Sequence, residues 1–144
     1  MEHEKLTGRI IKAAIAVHRS LGPGFLESIY ESALCVELEE EGLSFERQLV
    51  IPVKYKGKEV GEHRVDVLVE KKIILELKAV STFEDIFFSI VRSYLKACGL
   101  RHGLLLNFAS MPLTVKRVIF DPSSYEKTND SCVPDFLMKE SAFG

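Results

Sequence analysis

The chain has no tryptophan, three cysteines, five prolines and almost no net charge among its 144 residues. Each scarcity removes a class of protein. Cys35, Cys98 and Cys132 are odd in number and far apart, with neither a CxxC pair nor Cys/His ligand spacing. A disulfide framework and a zinc module are therefore both excluded, and a reducing, cytoplasmic setting is expected. The four histidines show no zinc-ligand spacing either. No stretch approaches the roughly 20 apolar residues of a membrane span, so no membrane partner is expected. The N-terminal MEHEKLTGR is charged and lacks the apolar run of a signal peptide. A formal net charge of −2 neither supports nor excludes a nucleic-acid partner, because basic residues can be concentrated in one groove.

What is present is apolar side chain: 47% of residues are hydrophobic, enough for one globular domain with a real core. One stretch stands out, Arg64 to Val80, reading RVDVLVEKKIILELKAV. Two β-branched, apolar runs flank the charged turn Glu70-Lys71-Lys72, the pattern of a β-hairpin. Three charges are set into those runs: Asp66, Glu76 and Lys78. Strand side chains alternate faces. Val65, Val67 and Val69 therefore share one face of the first strand, and Ile73, Leu75, Leu77 and Ala79 one face of the second. Packing these sets together places Asp66 beside Glu76 and Lys78 on the opposite face. That register requires an odd number of turn residues or a bulge.

Around the hairpin the chain reads in order. Ile10, Ile11, Ala14, Val17 and Leu21 recur at helical spacing, predicting a helix from about Thr7 to Leu21 that Gly22-Pro23-Gly24 stops. A second helix runs from Glu27 to Glu41, with Leu26, Ile29, Tyr30, Ala33 and Leu34 inward and Gly42 at its end. Leu49 to Tyr55 is a short strand, at an edge because of Pro52. Lys56-Gly57 turns into the long strand carrying Asp66. After the hairpin, Ser81 and Glu84 form a candidate capping box. The stripe Phe83, Ile86, Phe87, Ile90, Val91, Tyr94, Leu95 and Cys98 follows it, closed by Gly99. GLLLNF at 103–108 reads as a strand covered on both faces, and Leu113 to Phe120 as a last strand. The order is α, α, β, β, β, α, β, β. It predicts a three-layer α/β/α sandwich around a mixed sheet over residues 1–120, followed by a C-terminal tail over 121–144.

Two carboxylates on adjacent strands with a lysine two residues on suit phosphodiester hydrolysis assisted by a hard divalent cation, Mg²⁺ or Mn²⁺. Lysine can orient a water and offset charge on phosphate. Taken on spacing alone, a salt bridge across a solvated strand pair, worth about 1 kcal/mol or less, is the plainer account of the trio. Burial under a helix argues against that plain reading, since covered charges need compensation.

Asp66 with Glu76-Leu77-Lys78, in this α-β-β-β-α-β order, resembles the signature of the PD-(D/E)XK nuclease superfamily. The segment Gly24-Phe25-Leu26-Glu27-Ser28-Ile29-Tyr30 matches the motif that names its GxxExxY family, and the similarity runs from about Thr7 to Phe120. The resemblance implies a restriction-endonuclease-like core (αβββαβ) and metal-dependent cleavage of nucleic acid, expected to be DNA. Carried over by position, Asp66 and Glu76 are the metal ligands, Lys78 the catalytic lysine and Glu27 a second catalytic group. One departure is visible: the Gln that members commonly carry before the YLK segment is replaced by Ile90.

Lesser candidates surround this set. His63 and Arg64 abut Asp66, and Tyr30 neighbours Glu27 on its helix; all three are assigned to substrate binding. For Tyr30, filling the core with its ring is an equal alternative. His18 reads as a capping or packing residue. Lys54, Lys56, Lys58, Arg92, Lys96, Arg101 and His102 could track a phosphate backbone, with solvated surface the plainer account. Two rivals to an active nuclease follow: a nuclease fold retained for binding or regulation, and a homo-oligomer sealed by the apolar C-terminal segment.

Overall fold

The computed structural model describes residues 3–122. Its elements are α1 (Glu4–Leu21), α2 (Glu27–Glu40), β1 (Phe45–Tyr55), β2 (Lys58–Val69), β3 (Ile73–Lys78), α3 (Asp85–Cys98), β4 (His102–Asn107) and β5 (Thr114–Ile119). The five strands form one mixed sheet in the order β1-β2-β3-β4-β5, with β3 and β4 parallel and the other pairs antiparallel. The predicted element order and the sandwich of three layers are both present. Of the tail expected over 121–144, residues 123–144, including Cys132 and the segment proposed to seal an oligomer, lie outside the described residues.

Two cores lie on the two faces of the sheet. On one, Ile10, Ala14 and Val17 of α1 and Tyr30, Leu34 and Leu38 of α2 pack on Val67, Leu75, Leu77, Leu104 and Leu106. On the other, Val91 and Leu95 of α3 cover Ile51, Val65, Leu68, Ile74, Leu105 and Val118. β4 therefore buries both faces, as the unbroken GLLL run requires. Gly103 is where α3 comes closest: a Cβ there would stand 2.9 Å from Val91 Cγ1. Cys35 and Cys98 are buried free thiols whose pKa values burial raises to about 11 and about 12.

β1 is an edge strand, which accommodates Pro52. Its turn to β2 uses Lys56 at φ 52 and Gly57 at φ 76, the two positive dihedrals of a tight hairpin. The strand starts at Phe45, four residues before the expected Leu49, because Glu46 and Arg47 sit mid-ladder opposite Leu68 and Val67. The turn between β2 and β3 spans residues 70–72, an odd number, giving Val67↔Leu75, Leu68↔Ile74 and Val69↔Ile73.

Three expectations are corrected. Val65 does not share a face with Val67: it lies in the α3 core while Val67 lies in the α1–α2 core. The alternation slips at Asp66, where the facing residue of β1, Gln48, has φ 50 and leaves the ladder. Leu26 and Ile29 are 71% and 42% exposed, and the buried stripe of α2 is instead Tyr30, Glu31, Leu34, Cys35 and Leu38. Finally, Ser81 and Glu84 form no capping box. Glu84 is itself the extended N-cap residue, and no side chain caps the helix. The approach to α3 is fixed instead by edge-to-face packing of Phe83 on Phe87 and Phe88.

Candidate functional site

The site is built where β2 and β3 part. Their last described pair is Val67↔Leu75; beyond it β3 continues beside β4 alone, through Lys78↔Asn107. The Leu77 N–H, left without a strand partner on that side, donates to Asp66 Oδ2 at 3.0 Å. A side chain thus takes the place of a backbone carbonyl, and the strand break is what turns Asp66 toward β3.

Glu76 faces the α3 side and is 7% exposed. Its Oε2 lies 3.9 Å from Lys78 Nζ. Its Oε1 is buried without a hydrogen-bond partner, a condition shared among the described side chains only by Glu46 Oε2. Glu46 differs in having Lys71 Nζ at 3.2 Å on its other oxygen. Burial first, and the neighbouring Asp66 charge second, push the Glu76 carboxyl up to about 8. Burial also raises Asp66; the Leu77 hydrogen bond opposes that rise and the Glu31 charge adds to it. Lys78 is held by a cation–π contact, its Nζ 4.6 Å from the Phe87 ring centroid.

Glu27 arrives from the other layer. It is the first residue of α2, and its Oε2 accepts the Ala79 N–H at 2.9 Å. The start of α2 is thereby tied to the chain one residue beyond Lys78. Asn107, which the sequence reading passed over, fixes the same segment from β4. Its Oδ1 accepts from Val80 N at 3.1 Å and Ala109 N at 3.1 Å, and its Nδ2 donates to Val80 O at 2.8 Å. A lone amide at the end of an apolar strand was its visible signal. Glu31 and Gln48 were also passed over: Glu31 is 6% exposed, and Gln48 Nε2 donates to its Oε1 at 2.7 Å. An acidic residue one turn after Glu27 reads as solvated surface, so only the structure reveals it.

The residues assigned to substrate binding separate. Tyr30 is fully buried, stacked on Phe108 with centroids 4.6 Å apart. Its hydroxyl donates to Gly22 O at 2.6 Å and accepts from Phe25 N at 3.1 Å. It offers no surface to a substrate and instead shapes the turn that delivers Glu27. His63 points to α3, where Nε2 lies 2.7 Å from Ser93 Oγ and the ring meets Tyr94 edge-on. Burial lowers its pKa. With Ile86, Ser89 and Ile90, these residues line an open groove of about 430 Å³. Burial and then the Glu76 and Asp66 charges raise the Tyr94 hydroxyl to about 12. Arg64 is exposed and alternates to the opposite side from His63. His18 has the packing role expected, with Nε2 2.9 Å from Ser110 O.

Asp66 and Glu76 supply hard oxygen donors, one of them with an unsatisfied buried oxygen. Among the described residues no group of three or more His, Cys, Asp or Glu is placed to hold a metal. Two carboxylates alone would suit a hard divalent cation that completes its shell with other oxygen ligands.

Fold and motif together define a nuclease-type α/β site, and comparison with known proteins agrees. Residues 4–118 match the family described as the PD-(D/E)XK nuclease superfamily, and the chain belongs to that superfamily. Its members typically use divalent metals. No curated protein matches the sequence. A solved structure described as the crystal structure of SSO0001 is similar over 85% of this chain and 62% of that one, with a TM-score of 0.54 and 14% identity. That likeness bears on the fold alone. No helix among the described residues is long and apolar enough to cross a membrane.

Proposed function

We propose that this protein is a nuclease of the GxxExxY branch that hydrolyses phosphodiester bonds, in DNA, using Mg²⁺ or Mn²⁺ held by Asp66 and Glu76. The observation that carries the reading is Glu76 Oε1, buried and without a partner beside a second carboxylate. Burying two like charges with one lysine is costly unless a cation completes the set. When bound, such an ion supplies Lewis acidity at a phosphoryl oxygen.

The chain's own residues do the rest. Lys78, kept in place by Phe87 and Glu76, orients a water and offsets negative charge on the phosphate. Glu27 holds the backbone at Ala79, fixing the end of β3 and with it the lysine.

Isothermal titration with Mn²⁺ tests the ligand assignment: Asp66→Ala and Glu76→Ala should each abolish binding, and undiminished binding in both would refute it. Cleavage of single- and double-stranded DNA tests the activity, with Lys78→Ala expected to lose about 10²- to 10³-fold, as for removal of one charge-stabilising donor. A second reading, a nuclease fold retained for binding without turnover, is favoured by Ile90, which puts an apolar side chain in the groove where the related sequences carry Gln. Metal-dependent cutting lost in Lys78→Ala would exclude it.

A further inference from the structure

Gln48 interrupts the β1–β2 ladder at the residue that faces Asp66. Arg47 pairs with Val67 and Leu49 with Val65, but no Gln48–Asp66 pair forms between them. The cause is the left-handed backbone at Gln48, φ 50, a conformation costing roughly 1–2 kcal/mol for a residue with a Cβ. Glycine would adopt it freely, so a glutamine there calls for an account from its side chain. Strain of this kind persists where the surroundings over-determine it, and it clusters at functional sites.

The side chain supplies that account. Nε2 of Gln48 donates to Glu31 Oε1 at 2.7 Å and stands 3.5 Å from Asp66 Oδ1. Glu31 is buried, and its Oε2 is taken by Arg47, at 3.1 Å from Nε and 3.0 Å from the terminal nitrogen. The amide has two N–H donors and lies between two carboxylates. Anchored firmly on one, it presents its second donor to the other. Asp66 is thus touched on both oxygens, by Leu77 N–H on Oδ2 and by Gln48 on Oδ1. A carboxylate with one contact turns easily about its terminal torsion; with two its plane is set.

We propose that Gln48 is a positioning residue for Asp66, its amide braced on buried Glu31, which Arg47 pairs from the solvent side, so that the Asp66 carboxylate stands in the orientation a divalent cation requires. The role in cation binding rests on Asp66 being a ligand, as proposed above; the orienting role does not.

The variant Gln48→Gly keeps the left-handed backbone and removes the amide. It should fold with an unchanged or raised Tm, bind Mn²⁺ about tenfold more weakly by calorimetry, as loss of an outer hydrogen-bond partner of a ligand does, and show the Asp66 carboxylate rotated in its crystal structure. An unrotated Asp66, or an unchanged Mn²⁺ affinity in a parent-like fold, would overturn the proposal. Should the parent itself bind no Mn²⁺, the metal assignment falls, and the Asp66 orientation in the variant alone decides the positioning role. If the glycine variant does not fold, Gln48→Met, close in shape and without a donor, is read by the same two measurements.

Discussion

The two ends of the β2–β3 hairpin are made of adjacent residues and behave as different materials. At the turn end, Val67, Leu68, Val69, Ile73, Ile74 and Leu75 are paired in register and all at most 1% exposed. At the other end the ladder stops, Asp66 bonds the Leu77 N–H through its side chain, and Glu76 keeps a buried oxygen without a partner. The closed end is apolar and paired strand to strand. The open end carries unmet electrostatic demand, and the closed end holds it in place. Stability and chemistry are thus divided along one hairpin within a few residues.

The sharpest way to break this division is at the closed end. Leu75→Ala, at a fully buried position, should cost about 2–5 kcal/mol in denaturant unfolding while leaving Mn²⁺ binding intact in the folded fraction. Loss of metal affinity without loss of stability would show that the two ends are not separable.

A comparable but pH-dependent effect is expected at the open end. The Glu76 pKa rises from an ordinary 4.5 to about 8 in the fold. Between those values the folded chain keeps a proton that the unfolded chain has released, so stability falls as pH rises through that window, by up to a few kcal/mol. Without metal, Glu76→Gln should abolish this decline and be the more stable protein at pH 8. Mn²⁺ should raise the parent's Tm there and not the variant's. A flat profile in the parent would mean the carboxylate is already compensated.

The smallest effect belongs to the turn. Ser44 donates to Glu70 Oε2 through both its N–H and its hydroxyl, at 2.6 Å each, and these bonds hold the Glu70 pKa down. Ser44→Ala removes the hydroxyl bond and should cost about 1 kcal/mol by thermal unfolding, with no change in metal affinity.

The sequence makes the open end partly legible. Asp66, Glu76 and Lys78 are visible because charge inside β-branched runs is rare, and the odd turn length follows from the requirement that both apolar sets be buried. GLLLNF is legible as a doubly covered strand because nothing polar interrupts it. The supporting groups are another matter. Glu31 looks like helix surface, and nothing in a sequence marks Gln48 as left-handed. Since that one residue shifts the alternation, the placement of Val65 could not be read from parity. Tyr30 belongs to the motif around Glu27, and only its burial and its hydroxyl bonds show that it shapes the turn.

That turn has a consequence for how the molecule can be altered. Residues 22–26 have the composition of a loop that tolerates insertions, with two glycines and a proline. Yet the Tyr30 hydroxyl bridges Gly22 and Phe25, and Glu27 grips Ala79 immediately beyond. The segment is a spacer of fixed length between a buried ring and the end of β3. Adding one residue would disengage a carboxylate from a strand fifty positions away in sequence, so this loop is closed to the insertions and grafts that surface loops ordinarily accept.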